Sequence, residues 1–169
     1  MTTKAATKRT RKSSSKPTNV RNNSFQVFTS NFTPITRNDT MEGKDYLVVP
    51  MVMMVEGVHQ GSGGSLYYPD NELAKVPEIW NHKPVVVYHP TVNGYSVSAC
   101  SPEILTNRKI GVIMNTTYED GKLKAEAWLD MDRIDNVDER ISEAIQNNEM
   151  MELSTGLFTD LQDTEGEWN

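Results

Sequence analysis

A strand–turn–strand pattern between residues 109 and 130 constrains the fold of this chain more than any other stretch. Residues 109–114 are rich in strand-forming side chains, and residues 122–130 alternate polar with apolar ones. The pair Asp120-Gly121 between them is typical of a hairpin turn. The pattern therefore predicts an antiparallel hairpin whose second strand has one face in the core and one in solvent.

Other apolar runs predict more strands around this hairpin. An edge strand with loops is expected in residues 25–45, and core strands at 46–55, 85–88 and 151–154. Pro50 implies an edge position or a bulge, because proline has no backbone donor. Four consecutive apolar or aromatic residues at 85–88 predict a strand that is buried on both faces.

Helices are predicted at fewer places. Apolar residues at helical spacing predict one amphipathic helix over residues 134–145, and short helices are expected to begin near Asp70 and Pro77. Residues 57–64 and 91–108 are predicted to be loops. Because strands and helices do not alternate regularly, we predict an α+β domain with mainly antiparallel strands.

Charge is distributed very unevenly along the chain. The formal net charge is −6, yet residues 1–24 contain seven basic side chains and no acidic one. We therefore predict a disordered basic tail over residues 1–24 and an acidic folded domain over residues 25–169. We favour a contact with protein or a solubilising role for the tail over nucleic-acid binding, because no aromatic side chains are interleaved for base stacking.

Several functional classes are disfavoured. No apolar run is long enough for a membrane span, and no apolar segment of a signal peptide follows the basic N-terminus. The single cysteine, Cys100, excludes an internal disulfide and is predicted to be a small buried side chain. The glycine-rich loop lacks a phosphate-binding ending, and the three histidines lack the spacing of a zinc motif. No cofactor and no metal is predicted.

Two residues stand where apolar runs give way to polar chain. His89 follows residues 85–88, and Ser154 follows Leu153 in the last predicted strand. A serine hydroxyl becomes a useful nucleophile when an imidazole accepts its proton, and two strands of one sheet would bring these residues together. The residues alone leave other readings open: a structural histidine, and a serine that ends a strand. There is no Gly-x-Ser-x-Gly elbow around Ser154.

The order and spacing of several segments resemble the prohead (capsid maturation) serine proteases of tailed bacteriophages. The resemblance runs from about Val48 to Trp168 and rests on residues 55–64, 80–90, 110–112, 120–129 and 152–158. It implies the fold of the herpesvirus assembly proteases, a β-barrel flanked by a few helices. The family histidine falls on His89 and the family serine on Ser154.

The resemblance also implies a function and a place. A protease of this kind cleaves phage scaffold and major capsid proteins, and usually itself, inside the prohead that assembles in the bacterial cytoplasm. The third triad residue is expected after Asn169, so that residues 25–169 would be an incomplete protease-like domain; His59, Glu126 and Glu152 are only guesses for it. The alternative is a catalytically silent protease fold that serves as a structural module of the phage head.

Overall fold

A computed structural model of the chain describes residues 24–32, 36–61, 64–147, 149 and 151–159, with only the backbone of residues 24–32, 158 and 159. The predicted basic tail lies outside these residues, except that Ser24 begins the first strand. In chain order the strands are β1 (Ser24–Phe32), β2 (Arg37–Met41), β3 (Lys44–Val55), β4 (Gly57–Gly61), β5 (Gly64–Tyr68), β6 (Pro84–Val86), β7 (Thr91–Val92), β8 (Tyr95–Ser96), β9 (Lys109–Glu119), β10 (Lys122–Asp130) and β11 (Met151–Thr159). The helices are α1 (Asp70–Leu73), a 3-10 turn (Pro77–Trp80), α2 (Pro102–Asn107), α3 (Met131–Val137) and α4 (Glu139–Gln146).

The main sheet is five-stranded, in the order β2-β3-β10-β9-β6, and every neighbouring pair in it is antiparallel. The predicted hairpin is confirmed as β9–β10. Asp120 and Gly121 both have positive φ, 51° and 72°, as a tight two-residue hairpin turn requires. The alternation in β10 is also confirmed, because its apolar residues Leu123, Ala125, Ala127 and Leu129 are all buried.

Pro50 lies within β3, beyond the last residue that pairs with β2. Along this part of β3 the structure pairs the strand with β10, so the missing donor of Pro50 is not needed on its other side. β3 is nevertheless an inner strand of the main sheet, so Pro50 does not mark a sheet edge, whereas the register of β3 against β10 does shift between Val52 and Met54 of the same run.

A second, two-stranded sheet consists of β1 and β11. The hydroxyl of Thr155 in β11 donates a buried hydrogen bond to the carbonyl oxygen of Met53 in β3, at 3.1 Å. Leu153 and Leu157 of β11 pack against the core of the main sheet, which also receives Ile134 of α3 and Ile141 of α4. The core therefore lies between the main sheet on one side and β11 with the two helices on the other.

The α+β prediction with mainly antiparallel strands is confirmed, whereas the predicted barrel is not. In the described part of the chain the main sheet is open, with β2 and β6 as its edges, and β1–β11 forms a separate sheet. Closure would require the edge strands to pair, and among the described residues β6 pairs with β9 alone.

Four local predictions were wrong. The expected loop over residues 57–64 is largely a hairpin, β4–β5, and residues 91–108 contain β7, β8 and α2. The strand expected at residues 85–88 is the short edge strand β6, and it is half-buried rather than enclosed. The single helix expected over residues 134–145 is interrupted at Asp138, which is extended and whose carboxylate accepts from the backbone N–H of Arg140 to cap α4.

Candidate active site

The structure places His89 and Ser154 in contact. Nε2 of His89 lies 2.7 Å from Oγ of Ser154, which is hydrogen-bond distance, and both side chains are partly buried. Two strands of one sheet were expected to bring these residues together, but the two strands belong to different sheets. His89 follows the edge strand of the main sheet, whereas Ser154 belongs to β11 in the second sheet. The pair therefore joins two sheets across the molecule.

The strand geometry of β11 presents Ser154. Successive side chains of a strand point to opposite faces. Thr155 is buried towards β3 and is fixed there by its bond to Met53, so the neighbouring Ser154 side chain is directed away from that contact. Contacts on the core face of β11 therefore fix the strand, and the Ser154 hydroxyl lies on the opposite face.

His89 is held on a short, well-anchored segment. Before it, the N–H of Val87 donates to the carbonyl oxygen of Arg108 at 3.0 Å. After it, Pro90 is buried, and its carbonyl oxygen accepts from the N–H of Val97 at 3.0 Å. These backbone contacts on both sides restrict the position from which the imidazole reaches Ser154.

Tyr88, immediately before the histidine, has an unusual conformation. Its φ is +61°, in the left-handed region, which costs a non-glycine residue about 1–2 kcal/mol. The side chain is 62% exposed, yet its hydroxyl donates to Oδ2 of Asp138 at 3.1 Å and the Arg140 guanidinium lies 5.4 Å from the ring centre. Arg140 is in turn paired with Asp138 at 2.5 Å. We call Tyr88, Asp138 and Arg140 the tyrosine clamp.

The tyrosine clamp connects the histidine segment to the junction of α3 and α4. The sequence pattern placed Asp138 and Arg140 only within the helix predicted over residues 134–145, and it did not identify Tyr88 as part of a site. A useful signal was the aromatic residue next to His89, but its partner lies 50 positions away along the chain. Only the three-dimensional structure brings them together.

Partial burial changes the pKa of the His89 imidazole. Desolvation lowers the pKa of His89 from its ordinary value of 6.5, because burial disfavours the charged imidazolium. Near neutral pH the ring is therefore mainly neutral. With its proton on Nδ1, a neutral ring can accept the hydroxyl proton of Ser154 at Nε2.

A cleft of about 950 Å³ surrounds the pair. Its walls include every residue of two continuous segments, 83–90 and 151–156. Because alternate residues of a strand face opposite ways, a cleft that touches all of them runs along the edge of the strand rather than over one face. The cleft thus lies along the edges of β6 and β11, where backbone donors and acceptors point.

The other histidines, Glu152 and Cys100, which the sequence analysis also considered, differ in their position relative to the cleft. His59 lies outside the cleft, with Nε2 2.5 Å from the carbonyl oxygen of Val55, and His82 is exposed in a turn. Glu152 is exposed and lines the cleft two residues before Ser154. Cys100 was expected to be buried, but it is exposed at the cleft, because the segment between β8 and α2 lies on the surface.

Glu126 belongs to a separate polar cluster on the outward face of β10. Its carboxylate accepts two bonds from Arg37, at 2.6 and 3.0 Å, one from Asn115 at 2.7 Å and one from Trp128 at 3.1 Å. The hydrogen bond from Arg37 is the main reason that its pKa is lowered to about 2. Four hydrogen bonds hold this carboxylate and Glu126 does not line the cleft, which indicates a structural role.

Comparison with protein-family models, curated proteins and solved structures found no match for this chain. In the described ranges, no three His, Cys, Asp or Glu side chains are grouped so that they could hold a metal ion. Within the same ranges, no helix is long and apolar enough to cross a membrane.

Proposed function

We propose that this protein is a serine endopeptidase in which Ser154 is the nucleophile and His89 the general base. The observation that carries the proposal is the 2.7 Å contact between Nε2 of His89 and Oγ of Ser154 at an accessible cleft. Nucleophile and base within hydrogen-bond reach are the signature of this chemistry, and the lowered pKa keeps the base neutral near pH 7.

The proposed reaction proceeds in two balanced stages. Oγ of Ser154 forms a bond to the scissile carbonyl carbon while its proton passes to Nε2 of His89. The tetrahedral intermediate collapses, the carbon–nitrogen bond breaks, and the leaving amine takes the proton from the imidazolium. Water then attacks the acyl carbon while its proton passes to Nε2 of His89, and the imidazolium returns that proton to Oγ of Ser154 as the ester bond breaks, which releases a carboxylic acid and regenerates the hydroxyl.

We further propose that the enzyme acts in maturation of a bacteriophage prohead, with an assembly-protease type of fold. This part rests on the sequence segments that resemble the prohead proteases, two of which surround His89 and Ser154. Its substrates would be scaffold and major capsid proteins and the enzyme itself. A catalytically silent head module is the competing possibility.

The first test is labelling of the full chain with a fluorophosphonate, a reagent that reacts covalently with activated serines. We expect one adduct by intact mass, mapped to Ser154 by peptide sequencing, and its loss in both Ser154→Ala and His89→Ala. Ser98→Ala is the matched control, because Ser98 also lines the cleft. Cys100→Ser tests any contribution of the exposed thiol.

The second test measures intact masses after co-expression with phage capsid and scaffold proteins. Trimming that disappears in both His89→Ala and Ser154→Ala would support the prohead protease. Labelling of Ser154 without trimming would leave a serine hydrolase with other substrates. If folded wild type neither labels nor trims, the silent module replaces the protease.

A further inference from the structure

The cleft extends well beyond the two catalytic side chains. It reaches the buried face of the main sheet, where Met51, Met53, Ile113 and Leu129 contribute to its lining. The charged residues that line it, Lys83, Asp138, Arg140 and Glu152, are partly or largely exposed. One part of the cleft is therefore apolar and the charge is carried by its exposed margins.

The cleft is large enough to hold a ligand bigger than a small acyl group. A volume of about 950 Å³ is at the upper end of the 300–1,000 Å³ that ligand pockets usually have. Methionines in the lining can adapt to side chains of different shape, since the thioether chain is flexible. A charged side chain placed there would lose its hydration without gaining a partner.

The strand edges indicate how a ligand would lie. Among the described residues, β6 pairs only with β9 and β11 only with β1, so each has one edge without a strand partner. The cleft runs along the edges of both strands. Edges of this kind bind extended polypeptide through main-chain hydrogen bonds, and adjacent pockets select its side chains.

From these three observations we infer the substrate class. The cleft binds an extended polypeptide segment and takes a bulky apolar side chain, such as Leu, Met or Phe, within two residues of the scissile bond. The inference rests on the proposed function, because Ser154 defines where that bond lies. Burial of a side chain of this size corresponds to about 10- to 100-fold in kcat/KM over alanine.

The experiment profiles cleavage of a peptide library by the full chain, with mass spectrometry locating each cut. We expect Leu, Met or Phe at one fixed position within two residues of the cut, favoured at least about tenfold over Ala, Ser, Lys and Glu. The same proteins are labelled with fluorophosphonate, which reports the reactivity of Ser154 without needing the pocket.

Two surface variants provide a matched comparison. Ile79 is 63% exposed and lines the cleft, whereas Val76 is 53% exposed, lies three residues earlier and does not line it. We expect Ile79→Arg to lower kcat/KM for apolar peptides about tenfold by placing a charge at the pocket. Val76→Arg should stay within about twofold of wild type, and all three proteins should label at the same rate.

The outcomes of these experiments distinguish failure of the substrate inference from failure of the proposed hydrolase function. Labelled Ser154 with no apolar preference in the library, or equal effects of Ile79→Arg and Val76→Arg, would overturn the inference and leave the hydrolase standing. Hydrolysis of a simple ester, p-nitrophenyl butyrate, without cleavage of any peptide would overturn the polypeptide substrate. Absence of labelling in folded wild type would remove the proposed function and the inference together.

Discussion

The β9–β10 hairpin and the cleft between β6 and β11 differ in how they are built. The hairpin is local in sequence: its turn and its alternating face lie within residues 109–130, and its inner residues are buried. The cleft combines segments 65 residues apart, on strand edges, next to a backbone in the left-handed region. The hairpin supplies stability, and the cleft leaves strand edges and a histidine–serine pair open to a ligand. Because Ile113 and Leu129 of the hairpin also line the cleft, stability and chemistry can be perturbed separately only at hairpin residues outside that lining.

The largest effect on the free energy of unfolding is expected for a substitution in the hairpin, at Gly111. A Cβ atom at this position would lie 2.2 Å from the carbonyl oxygen of Trp128 in the neighbouring strand. We expect Gly111→Ala to lower the free energy of unfolding by about 2–3 kcal/mol, because backbone must move. Urea denaturation followed by circular dichroism measures it.

Gly43→Ala is the control for this substitution. Gly43 lies in the turn between β2 and β3, with φ +77° and no atom near its missing Cβ, so only backbone strain of about 1 kcal/mol is expected. Equal losses in the two variants would contradict the collision at Gly111. A large loss of labelling in folded Gly111→Ala would show that hairpin and cleft are not separable.

At the cleft, Tyr88→Phe is expected to lower the catalytic rate, kcat. Phenylalanine keeps the ring beside Arg140 but removes the bond to Asp138, which loosens the segment that carries His89. We expect a roughly tenfold lower kcat with little change in KM, and a change in unfolding free energy below about 1 kcal/mol. Tyr95→Phe, at a tyrosine that is 78% exposed and outside the cleft, should match wild type. An unchanged kcat in Tyr88→Phe would show that the tyrosine clamp does not position the histidine.

A smaller effect, again on stability alone, is expected for Glu126→Gln on the hairpin. The pKa of Glu126 lies at about 2 instead of 4.5, so the folded state favours its carboxylate form. The resulting stabilisation is fully present above pH 4.5 and disappears as the pH falls towards 2. Because Arg37 is largely exposed, we expect a difference of only about 1 kcal/mol at pH 7, measured by denaturation at several pH values.

The control for Glu126 is Glu119→Gln, whose carboxylate pairs only with an exposed lysine in the described structure. We expect no measurable change in the free energy of unfolding for Glu119→Gln. A pH-independent deficit in Glu126→Gln would contradict the ionic origin of the stabilisation.

The smallest effect is a shift in pH dependence at the cleft. Only neutral His89 can accept the serine proton, and burial lowers its pKa below 6.5. The rate of fluorophosphonate labelling should therefore be half-maximal below pH 6.5 and constant above about pH 7.5. A midpoint above pH 6.5 would mean that the charged form of the ring is stabilised, contrary to the partly buried environment.

Sequence predicted the local part of this structure well. The hairpin follows from the Asp120-Gly121 turn and from the alternation in β10, both of which act between near neighbours. The break at Asp138 was missed because apolar spacing continues through it, from Ile134 to Ile141. Tertiary contacts there favour an extended residue that caps the next helix.

The candidate site could be predicted in part. The positions of His89 and Ser154 after apolar runs drew attention to both residues, but the contact between them depends on how β11 docks on β3 through Thr155. The tyrosine clamp and the strand edges of the cleft depend on long-range pairing. No pattern in a single stretch of sequence encodes such pairing.

The pairing of β1 with β11 has a consequence for timing. The strand that carries Ser154 has its partner at residues 24–32, so the ribosome must add more than a hundred residues after the first strand before the second exists. At a synthesis rate of about 5–20 residues per second this delay is on the order of 10 s. If the pair is catalytic, the nascent chain has no assembled nucleophile during this interval. The contact between His89 and Ser154 would then form only after β11 has been synthesised and has paired with β1.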